Sequence, residues 1–151
     1  MLTHVNPLTQ TESVAYDALN RPSSVTDALS QTTTVTRDGE GNVTATTDPL
    51  NRTSTAAYDV VGRQTSVTNP LSQTDSFQYN AAGQISRHTD ALLRQTNYGY
   101  NTRGLNSTTT DAGNRQQAIG YSSQGWVSSV SRGYVNQQTT TSYSRDNVPP
   151  T

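Results

Sequence analysis

Stepping along the chain by 21 residues from Tyr16 lands on Arg37, Tyr58, Tyr79, Tyr100 and Tyr121, so five of the six regular positions are tyrosine. The next residue reads Asp17, Asp38, Asp59, Asn80, Asn101 and Ser122, and four places after the first come Asn20, Gly41, Gly62, Gly83, Gly104 and Gly125. A second column keeps the same register: Asp27, Asp48, Asn69, Asp90 and Asp111, followed two places on by Leu29, Leu50, Leu71 and Leu92 in the first four. A fixed period of this length means tandem units that each form one supersecondary element. Six regular units run from Tyr16 to about Ser142, with a degenerate half unit at each end, Tyr143 one residue late and Asn147 at the glycine position. No composition break interrupts them, so the expectation is a single array over residues 1–151.

Each unit reads as two short strands and two turns. Phe77 and Tyr79 are two apart and share one strand face, as do Val14 and Tyr16, Ala56 and Tyr58, Tyr98 and Tyr100, and Ile119 and Tyr121. After the tyrosine, Asp-x-x-Gly fits a type I turn closed by a left-handed residue, because Asp bonds the backbone two residues on and Gly accepts positive φ. On the return strand Val43, Ile85 and Val127 start an apolar column that resumes three residues later, as at Val130, with Val25 and Val67 at the same place in other units. A gap of three breaks strict alternation and predicts a bulge. The second turn carries Pro49 where its fixed φ suits a turn, with Ala28, Ala91 and Ala112 there in other units. One such hairpin is marginal alone, so each unit is expected to bury its apolar face against its neighbours.

Composition agrees with an all-β chain and excludes several functions. Leu, Ile, Val and Phe make up only 24 of 151 residues, a level at which disorder follows if net charge is also high. Net charge is −1, so the low apolar content is offset by Thr, Tyr and backbone pairing. No Lys or Arg cluster provides a footprint for nucleic acid. Cysteine is absent, which leaves no disulfide framework and no thiolate metal site. The opening MLTHVNPLTQTESV lacks the basic and apolar regions of a conventional signal peptide, and no stretch is apolar enough for a membrane span.

Tyr58, Asp59, Gly62 and Arg63 spell Tyr-Asp-x-x-Gly-Arg, and together with the period this resembles the YD repeats of bacterial Rhs proteins, related to repeats in the B and C components of Tc toxins and in teneurins. The signature positions are Tyr16, Asp17, Asp38, Gly41, Tyr58, Asp59, Gly62, Arg63, Tyr79, Gly83, Tyr100, Gly104, Tyr121 and Gly125. The resemblance covers about residues 5 to 147. It implies 21-residue β-hairpins joined into a spiralling, solenoid-like, continuous antiparallel sheet. In bacterial members that sheet forms a hollow shell around a C-terminal toxin, kept inactive until delivery. Departures are Arg37 for tyrosine, Asn80, Asn101 and Ser122 for aspartate, and Leu105 and Trp126 where Arg is usual. The Asp-Pro-x-Gly self-cleavage motif of the family is not found; Asp48-Pro49-Leu50-Asn51 is the nearest string and lacks the glycine. Residues 1–151 hold no recognisable toxin domain, and six units are expected to be too few to close a large shell alone.

The residues give little sign of catalysis. Ser and Thr are abundant, but there is no Gly-x-Ser-x-Gly elbow, no general base and no orienting third group. His4 and His88 stand isolated, so no metal ligand set forms around them. One Asp per turn at a 21-residue spacing is turn chemistry rather than a calcium site. The tyrosine column reads as a spine with its hydroxyls at the rim; its alternative is a sugar platform, and Trp126 is the best single exposed aromatic contact. Asn42, Asn51 and Asn106 begin glycosylation triplets of a kind that a Thr-rich chain produces by chance.

The expectation is therefore a non-enzymatic structural module without cofactors, secreted, extracellular or at a bacterial cell surface, that encloses or displays a toxin or other polypeptide. The alternative is a self-assembling filament or surface adhesin. Neither Met1 to Val5 nor Val148 to Thr151 looks like a charged cap, so sheet edges could pair with other copies or further repeats.

Overall fold

The computed structural model describes residues 2–5 and 11–143, among which there are fourteen strands and no helix. Asn147 and the segment from Val148 to Thr151 lie outside the described residues, as do Met1 and the side chains of His4 and Val5. The chain divides into two compact units, Met1–Asp75 and Ser76–Thr151. The first contains β1 (Leu2–Val5), β2 (Thr11–Tyr16), β3 (Pro22–Thr26), β4 (Thr32–Arg37), β5 (Val43–Thr47), β6 (Thr53–Tyr58) and β7 (Gln64–Thr68). The second holds β8 (Thr74–Tyr79, which starts just before the boundary), β9 (Ile85–Thr89), β10 (Gln95–Tyr100), β11 (Asn106–Thr110), β12 (Arg115–Tyr121), β13 (Val127–Tyr134) and β14 (Gln137–Ser142). Within each unit every strand pairs antiparallel with its neighbour in the chain. Short turns joining β-rich runs leave no other economical pairing.

Directly paired residues project to the same side of a sheet, so the register sorts the side chains into two faces. In the first unit one face carries Val14 opposite Val25, Tyr16 opposite Pro22, Val35 opposite Thr46, Arg37 opposite Val43, and Ala56 opposite Val67. The other is hydroxyl-rich, with Ser24 opposite Thr34, Thr34 opposite Thr47, and Thr55 opposite Thr68. In the second unit the tyrosine face presents Phe77 opposite His88, Tyr79 opposite Ile85, Tyr98 opposite Thr109, and Ile119 opposite Val130.

The gap of three resolves as a bulge. Ala57 pairs with Ser66 and Tyr58 with Gln64, so Thr65 has no opposite number, and the same shift occurs beside Tyr16, Arg37, Tyr79, Tyr100 and Tyr121. The extra residue returns positions i and i+3 to one face, which is why Ile85 and His88 both lie on the tyrosine side.

Packing departs from the expectation that each unit buries its apolar face. Neighbouring hairpins extend a sheet edge to edge, and none of the described residues is buried. Strand β6 shows the pattern: Ser54, Ala56 and Tyr58 are half-buried by cross-strand neighbours, while Thr53, Thr55 and Ala57 are exposed. Backbone ladders, cross-strand pairs and turns therefore hold the chain, in place of a hydrophobic core.

Candidate functional site

The turns explain how so thin a structure keeps its register. In the first, the Asp17 Oδ1 accepts hydrogen bonds from the Leu19 and Arg21 N–H groups, each at 2.9 Å, and Oδ2 accepts from Arg21 Nε at 2.7 Å. The backbone adds Asn20 N–H to the Asp17 carbonyl and Asp17 N–H to the Arg21 carbonyl, at 3.0 and 2.8 Å. Asp59 and Arg63 repeat the arrangement, and so do Asp48 with Arg52, Asp90 with Arg94, and Asp111 with Arg115 at the second kind of turn. The two kinds of turn are thus one geometry, an Asp-led turn closed by a left-handed residue.

They differ at that closing residue. The Tyr-Asp turns close on Gly41, Gly62, Gly83, Gly104 and Gly125 at φ between 76° and 97°, and on Asn20 at 59°. The others close on Ser30, Asn51, Ser72, Leu93 and Asn114 at φ between 58° and 62°. At Gly41 the φ of 97° favours glycine, and a Cβ there would also displace the tip of the Arg21 side chain, 2.7 Å away.

Arginine ends a turn only where the first residue is Asp, although Asp27 and Asp38 are followed at that position by Gln31 and Asn42. Where the first residue is Asn, the last is neutral: Asn69 donates to Gln73 Oε1 at 2.8 Å, Asn80 to Gln84 Oε1 at 3.2 Å, and Asn101 is followed by Leu105. Asp38 pairs with Asn42 at 2.9 Å. Arg21, Arg52, Arg94, Arg115, Gln73 and Gln84 are thus structural partners that the tyrosine and glycine columns do not reveal; the joint change at spacing four is the signal that finds them. The N–H bonds from Arg21, Arg63, Arg94 and Arg115 hold Asp17, Asp59, Asp90 and Asp111 below the ordinary carboxyl pKa. Side-chain bonds from Asn42 and Arg52 do the same for Asp38 and Asp48. With both oxygens engaged, these carboxylates present no ligand set, and among the described residues no group of three or more His, Asp or Glu side chains is placed to hold a metal.

The tyrosine column has a specific task. Tyr58 Oη donates to the Val43 carbonyl at 3.0 Å, Tyr100 Oη to Ile85 and Tyr121 Oη to Asn106, both at 2.8 Å, always 15 residues back. In each case the carbonyl lies beyond the last ladder pair between the two strands. The tyrosine therefore ties its hairpin to the preceding one where backbone pairing has stopped. Turn-to-turn bonds reinforce this in the second unit: Gln84 Nε2 donates to the Gly104 carbonyl at 2.7 Å, and Arg103 Nη1 and Nη2 donate to the Ser123 and Ser122 carbonyls at 2.8 and 2.5 Å.

What remains available for binding is the tyrosine face. In the second unit Phe77, Ile85, His88, Tyr98 and Tyr100 line a shallow pocket, with the Phe77 and His88 rings stacked at 5.0 Å and 10°. In the first, Val43, Thr46, Ala56, Tyr58, Gln64 and Val67 are among the residues lining another. Trp126 ends its turn and is 52% exposed. At the turn tips Leu29, Leu50 and Leu71 form an exposed apolar row, 69%, 71% and 78% accessible. These surfaces can take up extended or apolar polypeptide.

The RHS Repeat family model matches residues 16–53 and 58–95. Among solved structures, the TcdB2-TccC3 complex with Cdc42 matches with a TM-score of 0.62 and 17% identity, covering 82% of this chain and 8% of that one. TcdB2-TccC3 without its hypervariable C-terminal region gives 0.61, 19%, 82% and 8%. A Tc holotoxin pore of Photorhabdus luminescens gives 0.56, 20%, 86% and 7%. The chain thus spans less than a tenth of the length of these three, and at these identities the likeness is one of fold. No curated protein sequence matches it.

Proposed function

The chain belongs to the RHS repeat family, and on that premise we propose that it is a non-catalytic wall segment of a β-shell enclosing another polypeptide, as bacterial Rhs shells enclose a toxin. The observation that carries this reading is the uncovered tyrosine face: aromatic and apolar side chains lie on a sheet in which none of the described residues is buried. Such a surface needs a covering partner, and an enclosed chain provides one. The exposed leucine row suits contact with further repeats along the turn edge. The Tc assemblies among the matched structures support a shell over a filament, and an extracellular or cell-surface location goes with it. The signature residues act in this reading as fasteners, the Asp and Gly positions within a turn and the tyrosines between hairpins. Electron microscopy of the native protein tests it. Closed particles with internal density support the proposal; filaments, or monomers without an enclosed polypeptide, refute it.

A further inference from the structure

The tyrosine column is interrupted once, by Arg37. It ends β4 on the tyrosine face, opposite Val43 and two residues from Val35. The carbonyl 15 residues back, which the tyrosines use elsewhere, belongs here to Pro22, and Arg37 makes no bond to it. Its Nε is shut off from water and has no hydrogen-bond partner, alone among buried side-chain nitrogens and oxygens of the described residues.

The other arginines show what this group binds in this protein. Arg21, Arg52, Arg63, Arg94 and Arg115 each hold an Asp carboxylate at 2.6 to 3.0 Å, and Arg87 Nε donates to the Asn97 amide oxygen at 2.9 Å. The Tyr-Asp turn carboxylates on either side are taken up elsewhere: the adjacent Asp38 is engaged by Asn42, and Asp17 of the preceding Tyr-Asp turn is engaged by Arg21. A guanidinium with an unfilled Nε edge among valines is matched by a carboxylate, which accepts two parallel N–H bonds that strengthen where water is scarce.

We propose that Arg37 anchors a subsite for an aspartate or glutamate side chain of an extended polypeptide lying on the tyrosine face. The inference rests on the reading that this face meets an enclosed chain, and it adds a chemical preference to an otherwise apolar surface. Arg37 as a whole is half-exposed, and capture at its Nε edge requires the guanidinium to rotate outward about its terminal χ angles. An orphaned donor is thereby satisfied as the ligand's carboxylate is captured.

The test uses the intact protein and two amidated peptides of alternating Val and Ser, one with a central Glu and one with Gln there, measured by fluorescence anisotropy. The protein is expected to bind the Glu peptide about tenfold more tightly, one charge-assisted contact's worth. Arg37→Tyr restores the column residue and its route to the Pro22 carbonyl, so it should melt no lower than the parent yet bind both peptides alike. Arg37→Gln is the second variant and should lose the same discrimination. Equal binding of the two peptides by the parent overturns the subsite and leaves the shell reading standing. Binding of neither overturns both the subsite and the role of this face.

Discussion

Replacing Tyr100 by Phe removes one hydroxyl and leaves the ring in place. The Oη bond to the Ile85 carbonyl, at 2.8 Å, satisfies an acceptor that lies beyond the last β9–β10 ladder pair, Asn97 with Arg87. A net hydrogen bond contributes about 1 kcal/mol, and leaving its partner in dry surroundings costs more. Here the surroundings are half-exposed, so water can reach the carbonyl and the lower figure applies. About 1 kcal/mol corresponds to a melting shift of roughly 2–4 °C in a chain of this size. Tyr58 and Tyr121 make equivalent bonds at separate sites; additivity then gives about 3 kcal/mol for the triple Phe variant. The assay is denaturant and thermal unfolding followed by circular dichroism. Tyr98 is the internal control, because it lies on the same face and its hydroxyl makes no such tie. If Tyr100→Phe and Tyr98→Phe unfold together, the tyrosines are not fasteners between hairpins.

Acid should loosen the turns. The folded-state pKa values of Asp17, Asp38, Asp48, Asp59, Asp90 and Asp111 are lowered, so their stabilisation is complete above the unfolded carboxyl pKa of about 3.9 and is lost as pH falls through the folded values; unfolding midpoints recorded between neutral pH and pH 2 should fall there, and less steeply in an Asp59→Asn, Arg63→Gln protein. Gly133 has φ of +151° and no room for a Cβ against the Gln137 carbonyl oxygen, so Gly133→Ala should cost about 1–3 kcal/mol and weaken hydrogen-exchange protection across β13 and β14. Leu93 holds a left-handed φ of 62° while 82% exposed, so Leu93→Asn, the residue used at Asn51 and Asn114, should raise the denaturant midpoint by about 0.5–1 kcal/mol of stability.

The architecture was largely legible because it is periodic. Tyr58, Asp59 and Gly62 mark a strand end, a turn start and a left-handed closure by chemistry that any one copy displays, and the gap between Ile85 and His88 encodes the bulge. The second turn was harder to recognise as the same device, since Ser72 and Leu93 carry positive φ without the glycine that advertises it. The Asp–Arg partnership was present in the sequence as a joint change at spacing four, visible only when Asn69–Gln73 and Asn80–Gln84 are set beside Asp59–Arg63. That none of the described residues is buried was not legible. A hairpin repeat specifies which side chains share a face, but the same alternation serves a sheet that is covered and one that is bare. Nor could the sequence disclose that Arg37 would keep its Nε unpaired, because that depends on where neighbouring acceptors fall in the folded sheet.

The bulge beside each tyrosine has a genetic consequence. Strands show alternate residues to alternate sides, so losing one residue within a strand would exchange the two sides for the rest of that strand. Each Tyr-Asp hairpin already carries one unpaired residue, and its odd length keeps the outgoing and returning sides aligned. Duplication or loss of whole units of 21 residues is therefore silent to the pattern, whereas a single-codon change within a strand is not. A gene of this kind can lengthen or shorten by recombination between its own copies, each product retaining two consistent faces.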